Sequence, residues 1–223
     1  VLPFIIFTVI WGSTWIVIRD QLGTVPAQWS VAYRFILAAA AMFLVAWWKG
    51  DRLTPSRPLL TAAAVIGTAQ FTINFNAVYM AEHFITSGLV ATVFALLMVP
   101  NALLAWWWLG HKPSARFLGA SAVAAAGIAL LFVHEYRASP VAAGGTLAVG
   151  IAWTLLGMVG ASVSNVLQAR EAVQKLPLFA LLAWGMAIGA LVDIVIAWTM
   201  TGPPVIETRP GYFGSDEAAV GPD

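Results

Sequence analysis

Seven apolar stretches, each about as long as a bilayer-crossing helix, take up most of this 223-residue chain and dictate its solvent. They cover approximately residues 1–18, 30–48, 59–80, 84–109, 117–133, 146–167 and 178–200. A helix rises about 1.5 Å per residue, so about 20 residues cross the hydrocarbon. Lipid offers no hydrogen bonds to a backbone, which leaves helices or a closed barrel. A barrel strand alternates apolar and polar positions, whereas 38–48 is apolar throughout. The expected fold class is therefore all-α, a polytopic membrane helix bundle with seven spans and the lipid bilayer as its surroundings.

Composition removes several chemistries. Hydrophobic residues are 61% of the chain and charged residues 9%, a balance that would not keep a domain of this size in water. The net charge of +1 gives no reason to expect a nucleic-acid partner. Cysteine is absent, which excludes disulfides, thiolate metal ligands and thiol nucleophiles. His83, His111 and His134 fall in gaps or at helix ends, far apart, and none reads as a metal ligand. No cofactor or metal is expected. A retinal-type receptor needs a lysine at membrane depth, but Lys49, Lys112 and Lys175 all lie between stretches.

The same gaps set the orientation. Those after stretches two, four and six hold Lys49, Arg52, Arg57, Lys112, Arg116, Arg170 and Lys175; the others hold only Arg19, Arg137 and Arg209. The basic loops are expected in the cytoplasm, which puts the N-terminus of a protein in the cytoplasmic membrane inside as well. Trp47, Trp48 and Trp106 to Trp108 then mark the inner interface, and Trp29 and Trp198 the outer. The chain starts at Val1 without Met or a basic leader, so its start is expected to be missing, and the polar residues 203–223 are expected to be disordered.

Stretch three carries the most polar chemistry. Gln70 and Asn74 are four apart and share one helix face, while Thr72, Asn76 and Tyr79 fall about 160 to 200° away at 100° per residue. Buried amides without partners cost several kcal/mol, so this helix is expected inside protein or beside a wet cavity. Interhelical hydrogen bonding is the plainer explanation. In stretch one, Trp11 and Trp15 flank Gly12-Ser13-Thr14 and offer either packing surface or an aromatic face for an organic solute. Two full charges lie inside the stretches. Arg34 is shallow enough to snorkel outward or pair with Asp20, and Asp193 either pairs with Arg34 or takes up a proton. Pro100 removes a backbone donor within stretch four and is a candidate hinge; Asn101 beside it and Asn165 in stretch six are further candidate solute contacts. Gly185-x3-Gly189 and the small residues from Gly119 to Gly127 read as helix-packing surfaces.

An internal repeat is faintly visible. Gly12-Ser-Thr is echoed by Gly160-Ala-Ser, and Trp47-Trp-Lys-Gly by Trp198-Thr-Met-Thr-Gly, about 150 residues apart. The copies are offset by five stretches, and an odd offset inverts the second in the membrane. Trp11-Gly-Ser-Thr-Trp, Tyr33-Arg-Phe-Ile-Leu-Ala-Ala, and Pro100-x8-Leu109-Gly ahead of Gly119-x7-Gly127-Ile-Ala-Leu-Leu resemble the EamA-like permeases of the drug/metabolite transporter superfamily. That resemblance extends over about residues 1–212. It implies ten helices in two inverted five-helix repeats around a central cavity, and export of amino acids, nucleosides, toxic compounds or other small metabolites. On that plan residues 1–135 form the first repeat, 136–202 two helices of an incomplete second, and 203–223 a tail, so that the chain has the first seven of ten helices. His111 stands where such proteins usually carry Glu after the Gly.

The residues and the resemblance together point to a secondary transporter and not an enzyme, because no nucleophile, base or metal set converges at membrane depth. A small-molecule substrate is the expected partner, held by Trp11, Trp15, Gln70, Asn74, Asn76, Tyr79, Asn101 and Asn165, with a homodimer left open. The alternative is a membrane scaffold or regulatory subunit that transports nothing.

Overall fold

The structure is a computed structural model that describes residues 25–138 and 145–204, together with 2, 4–6, 8–10, 12 and 13 of the first stretch. Trp11, Trp15, Arg19, Asp20 and the tail from residue 205 lie outside the described residues. Stretches two to seven form six helices: α1 Ala27–Trp48, α2 Arg57–Glu82, α3 Ser87–Leu109, α4 Ala115–Ala138, α5 Thr146–Gln168 and α6 Leu178–Thr201. All six are long and apolar enough to cross a membrane. A short helix, Glu171–Gln174, joins α5 to α6.

Local signals set the helix ends. Ser56 precedes α2, its hydroxyl accepting from Leu59 N–H at 3.4 Å, and Pro58 sits in the first turn, where no donor is needed. Gly110 ends α3 with φ 74, and Gly202 ends α6 with φ 81 ahead of Pro203.

Helix α6 lies along α1 and against the first part of α2, and α5 packs on the other side of α2 and on α3. Between them sits a core that includes Val31, Phe35, Ile66, Val78, Val90 and Leu181. Phe35 anchors it, with ring centroids 4.9 Å from Phe71 and 4.8 Å from Phe75. The outward faces are apolar as well, as lipid requires. Trp47, Trp48 and Trp107 are 71%, 77% and 78% exposed, an aromatic belt at the end of the bundle that carries the basic loops.

Trp29, at the start of α1, is 4% exposed, stacks on Tyr33 at 5.5 Å and donates its indole N–H to the Gly202 carbonyl, tying the start of α1 to the end of α6. One expectation needs correction. Gly119 and Gly127 are not a packing surface among the described residues, since a Cβ at either would meet nothing within 4 Å. Helix α4 has no helix laid along it there, and its apolar window has no buried residue.

The loop after α1 is tied to the start of α6. Asp51 Oδ2 accepts from Ala180 N–H at 3.1 Å, one of the unpaired donors of that helix's first turn, and Trp184 donates to the Leu53 carbonyl at 3.0 Å. Two of the three basic loops thus share one end of the bundle.

Candidate functional site in the polar middle of α2

The middle of α2 is not an α-helix. Residues Gly67–Asn74 are wound as a π-helix between α-helical flanks Arg57–Ile66 and Phe75–Glu82. Such winding is rare and tends to occur at functional sites. Glycines on both neighbours let this segment's backbone come unusually close. A Cβ at Gly67 would strike the Gly185 carbonyl oxygen and lie 3.2 Å from Gly189 N on α6. On α5, a Cβ at Gly160 would stand 2.5 Å from the Ala69 carbonyl and 3.1 Å from Asn74 N. The Gly185-x3-Gly189 surface read from the sequence is thus the seat of the π segment.

The polar side chains divide between the two neighbours. Thr72 donates its hydroxyl to the Gly189 carbonyl at 3.2 Å, and the Asn76 amide donates to Asp193 Oδ1 at 2.8 Å and to the Thr72 carbonyl at 2.9 Å. Asn74 donates to the Gly157 carbonyl of α5 at 2.8 Å. The side chains of Thr72 and Asn76 therefore meet α6 and that of Asn74 meets α5. A count at 100° per residue does not hold through the π turns, each of which takes in one more residue.

Gln70 is differently placed. It is half-buried, and its enclosed Oε1 has no hydrogen-bond partner among the described residues. The Ser162 hydroxyl of α5 is fully buried and likewise unpartnered. Sequence reading passed over Ser162, and over the buried Thr154 and Ser164, which bond locally to the Gly150 carbonyl and the Gln168 amide. Their setting beside Gly150, Gly157 and Gly160 was the available signal.

Asn101 and Asn165 come together, Nδ2 of Asn165 lying 3.5 Å from Oδ1 of Asn101, a long bond between α3 and α5. Ahead of them α3 tightens into a 3-10 turn at Ala95–Leu97. Pro100 lies four residues beyond Leu96, so it offers no N–H to that carbonyl and its ring crowds it.

The two intramembrane charges do not pair with each other. The Arg34 guanidinium carbon is 4.9 Å over the Phe75 ring and within hydrogen-bonding reach of the fully buried Tyr79 hydroxyl. Asp193 is fully buried with Oδ1 on Asn76, and Oδ2 has no partner among the described residues. Among the described residues no three His, Asp or Glu side chains converge as metal ligands.

Known proteins give this geometry a family. The family model for the EamA-like transporter family matches residues 1–133, well over half of the chain. The chain is 25% identical over 138 residues to Protein PagO of Salmonella typhimurium, covering 61% of this chain and 45% of that protein. It is 36% identical over 88 residues to the Uncharacterized inner membrane transporter YedA of Escherichia coli, covering 39% of this chain and 28% of that protein. The chain therefore matches less than half the length of these relatives. No solved structure matches it. The apolar helices, the polar segment seated between them and the match over residues 1–133 lead to one assignment: the chain is a multi-pass membrane protein and belongs to the EamA-like transporter family.

Proposed function

We propose that the protein is a secondary transporter that exports a small organic solute across the cytoplasmic membrane by alternating access, with its N-terminus in the cytoplasm. The observation that carries this reading is a set of neutral amides at membrane depth with spare hydrogen-bonding capacity. Gln70 Oε1 has no partner among the described residues, and the Asn101–Asn165 bond is long and partly exposed. A solute that replaces such bonds gives up little, whereas Asn74 and Asn76 are already engaged at 2.8 Å. Ala69, next to Gln70, sits against Gly160, and Asn165 lies five residues further along α5, about 7.5 Å at 1.5 Å per residue. That span suits a metabolite-sized, zwitterionic or moderately apolar solute. Asn74, Asn76 and Tyr79 form the wall behind, Trp11 and Trp15 supply aromatic surface, and the Pro100 turn in α3 is the hinge. Support for the inverted-repeat plan comes from α1 and α6, at matching positions of the two repeats, lying side by side.

The test is accumulation of labelled amino acids, nucleosides and toxic organic cations in bacteria expressing the chain. Expression lowers accumulation of at least one class, and Gln70→Leu or Asn165→Leu abolishes the effect while membrane abundance stays within about twofold, since leucine favours insertion. Equal accumulation with and without the protein across the panel refutes the reading.

A further inference from the structure

Asp193 is the only charged residue in 178–201, and its environment is incomplete for an ion. The carboxylate of an ionised Asp accepts at about four lone-pair positions, but among the described residues the Asn76 amide donates to Oδ1 at 2.8 Å and nothing donates to Oδ2. The Thr72 hydroxyl, within reach of the carboxyl, donates to the Gly189 carbonyl. The surrounding helices add no counter-charge. Helix α1 carries Tyr33 and Arg34, the latter turned to Phe75 and Tyr79; α2 carries Arg57, Tyr79 and Glu82; α5 has no Lys, Arg, His, Asp or Glu between 146 and 168. Asp51 is bound at Ala180, thirteen residues along α6, or about 20 Å at 1.5 Å per residue. A bare carboxylate so enclosed is costly, whereas a neutral carboxyl with its carbonyl oxygen on Asn76 leaves one unpaired O–H donor at Oδ2, a much smaller cost than a buried charge.

We propose that Asp193 is a proton-binding site that senses the seating of α2 on α6. With α2 seated, Oδ2 holds the proton and Oδ1 accepts from Asn76. When α2 parts from α6, water reaches the carboxyl, the O–H bond breaks, the proton passes to that water and the charge stays on Asp193; rebinding reverses each step. The contacts that must open at this level include Thr72 on Gly189, Asn76 on Asp193, and Gly67 and Phe71 against Gly185 and Gly189. As a means of coupling, the site rests on the transporter reading above; as a proton site it does not.

Two measurements on the full chain reconstituted in phosphatidylcholine vesicles test this. Infrared spectroscopy at neutral pH, where solvated carboxyls are ionised, shows a protonated-carboxyl band that Asp193→Asn removes. Hydrogen exchange, corrected for intrinsic rates, shows protection of residues 67–76 falling about tenfold between about pH 6 and pH 9 in the native chain and staying constant in Asp193→Asn. The Asn variant keeps native helicity because it mimics the neutral acid. A native chain without the band, pH-independent protection, or an Asn variant that unfolds overturns the proposal. Neither readout needs a transported solute. A chain that passes both and moves nothing sinks the transporter reading alone, and export without the band sinks the proton site alone.

Discussion

Replacing Gly67 by Ala tests the closest helix contact in the bundle. The new Cβ would lie well inside 3.0 Å of the Gly185 carbonyl oxygen, with Gly189 N at 3.2 Å and Gly185 C at 3.3 Å. All three are backbone atoms, so no side chain can swing away and α2 must move off α6 by up to about 1 Å, enough to forfeit a quarter to a half of each van der Waals well along the seam. Overpacking of this kind costs about 1–3 kcal/mol. The same displacement stretches the 3.2 Å bond from Thr72 to Gly189 and the 2.8 Å bond from Asn76 to Asp193. Each adds about 0.6 kcal/mol, and the gain in helix propensity returns at most about 1 kcal/mol. Gly67→Ala should therefore destabilise the protein by roughly 1–3 kcal/mol. Gly127→Ala, whose Cβ meets nothing within 4 Å, should be neutral or stabilising. Unfolding by sodium dodecyl sulfate from mixed micelles, followed by circular dichroism, measures both. If the two variants unfold within about 0.5 kcal/mol of one another, the close approach, and with it the seating of the π segment, is wrong.

Asp51→Ala removes the acceptor for Ala180 N–H and should cost about 1 kcal/mol in the same assay, with Asp51→Asn losing only a small part of that because its side-chain oxygen still accepts; equal stability of native and Ala forms would show that the latch carries no energy. Since the chain has no native cysteine, single cysteines at Arg52 and Lys175 should be shielded from an impermeant thiol reagent in intact cells while one at Arg137 labels, and labelling of the first two from outside would invert the orientation.

The helices were legible because one physical requirement dominates them. A run of about 20 apolar residues has a single good fate in lipid. The stretch read as 59–80 is the helix Arg57–Glu82, and 178–200 is Leu178–Thr201. The winding inside α2 was not legible. Whether residues 67–74 take α or π turns depends on the glycine surfaces of α5 and α6, which lie more than 80 residues away in sequence, and local propensity says nothing of them. Partners within the polar set were hidden for the same reason. Polarity and depth singled out Arg34, Asn76 and Asp193, but only the packing decides that Asp193 meets Asn76 while Arg34 turns to Phe75. The opposite error, at Gly127, arose where a residue type common at helix-packing surfaces was assigned to one without knowing what lay opposite.

The π turns of α2 also bear on how this helix can change length. Each holds one residue more than an α turn, so the segment Gly67–Asn74 stores slack that the flanks do not have. Loss of one residue there can be absorbed by rewinding to α geometry, leaving Ile66 and Val78 in their places in the core. The same loss among residues 60–65, which are already α-helical, would turn everything on one side of it by about 100° and carry apolar positions away from α6. Single-residue insertions and deletions among homologous chains should accordingly collect in 67–74 and be purged from the rest of the helix.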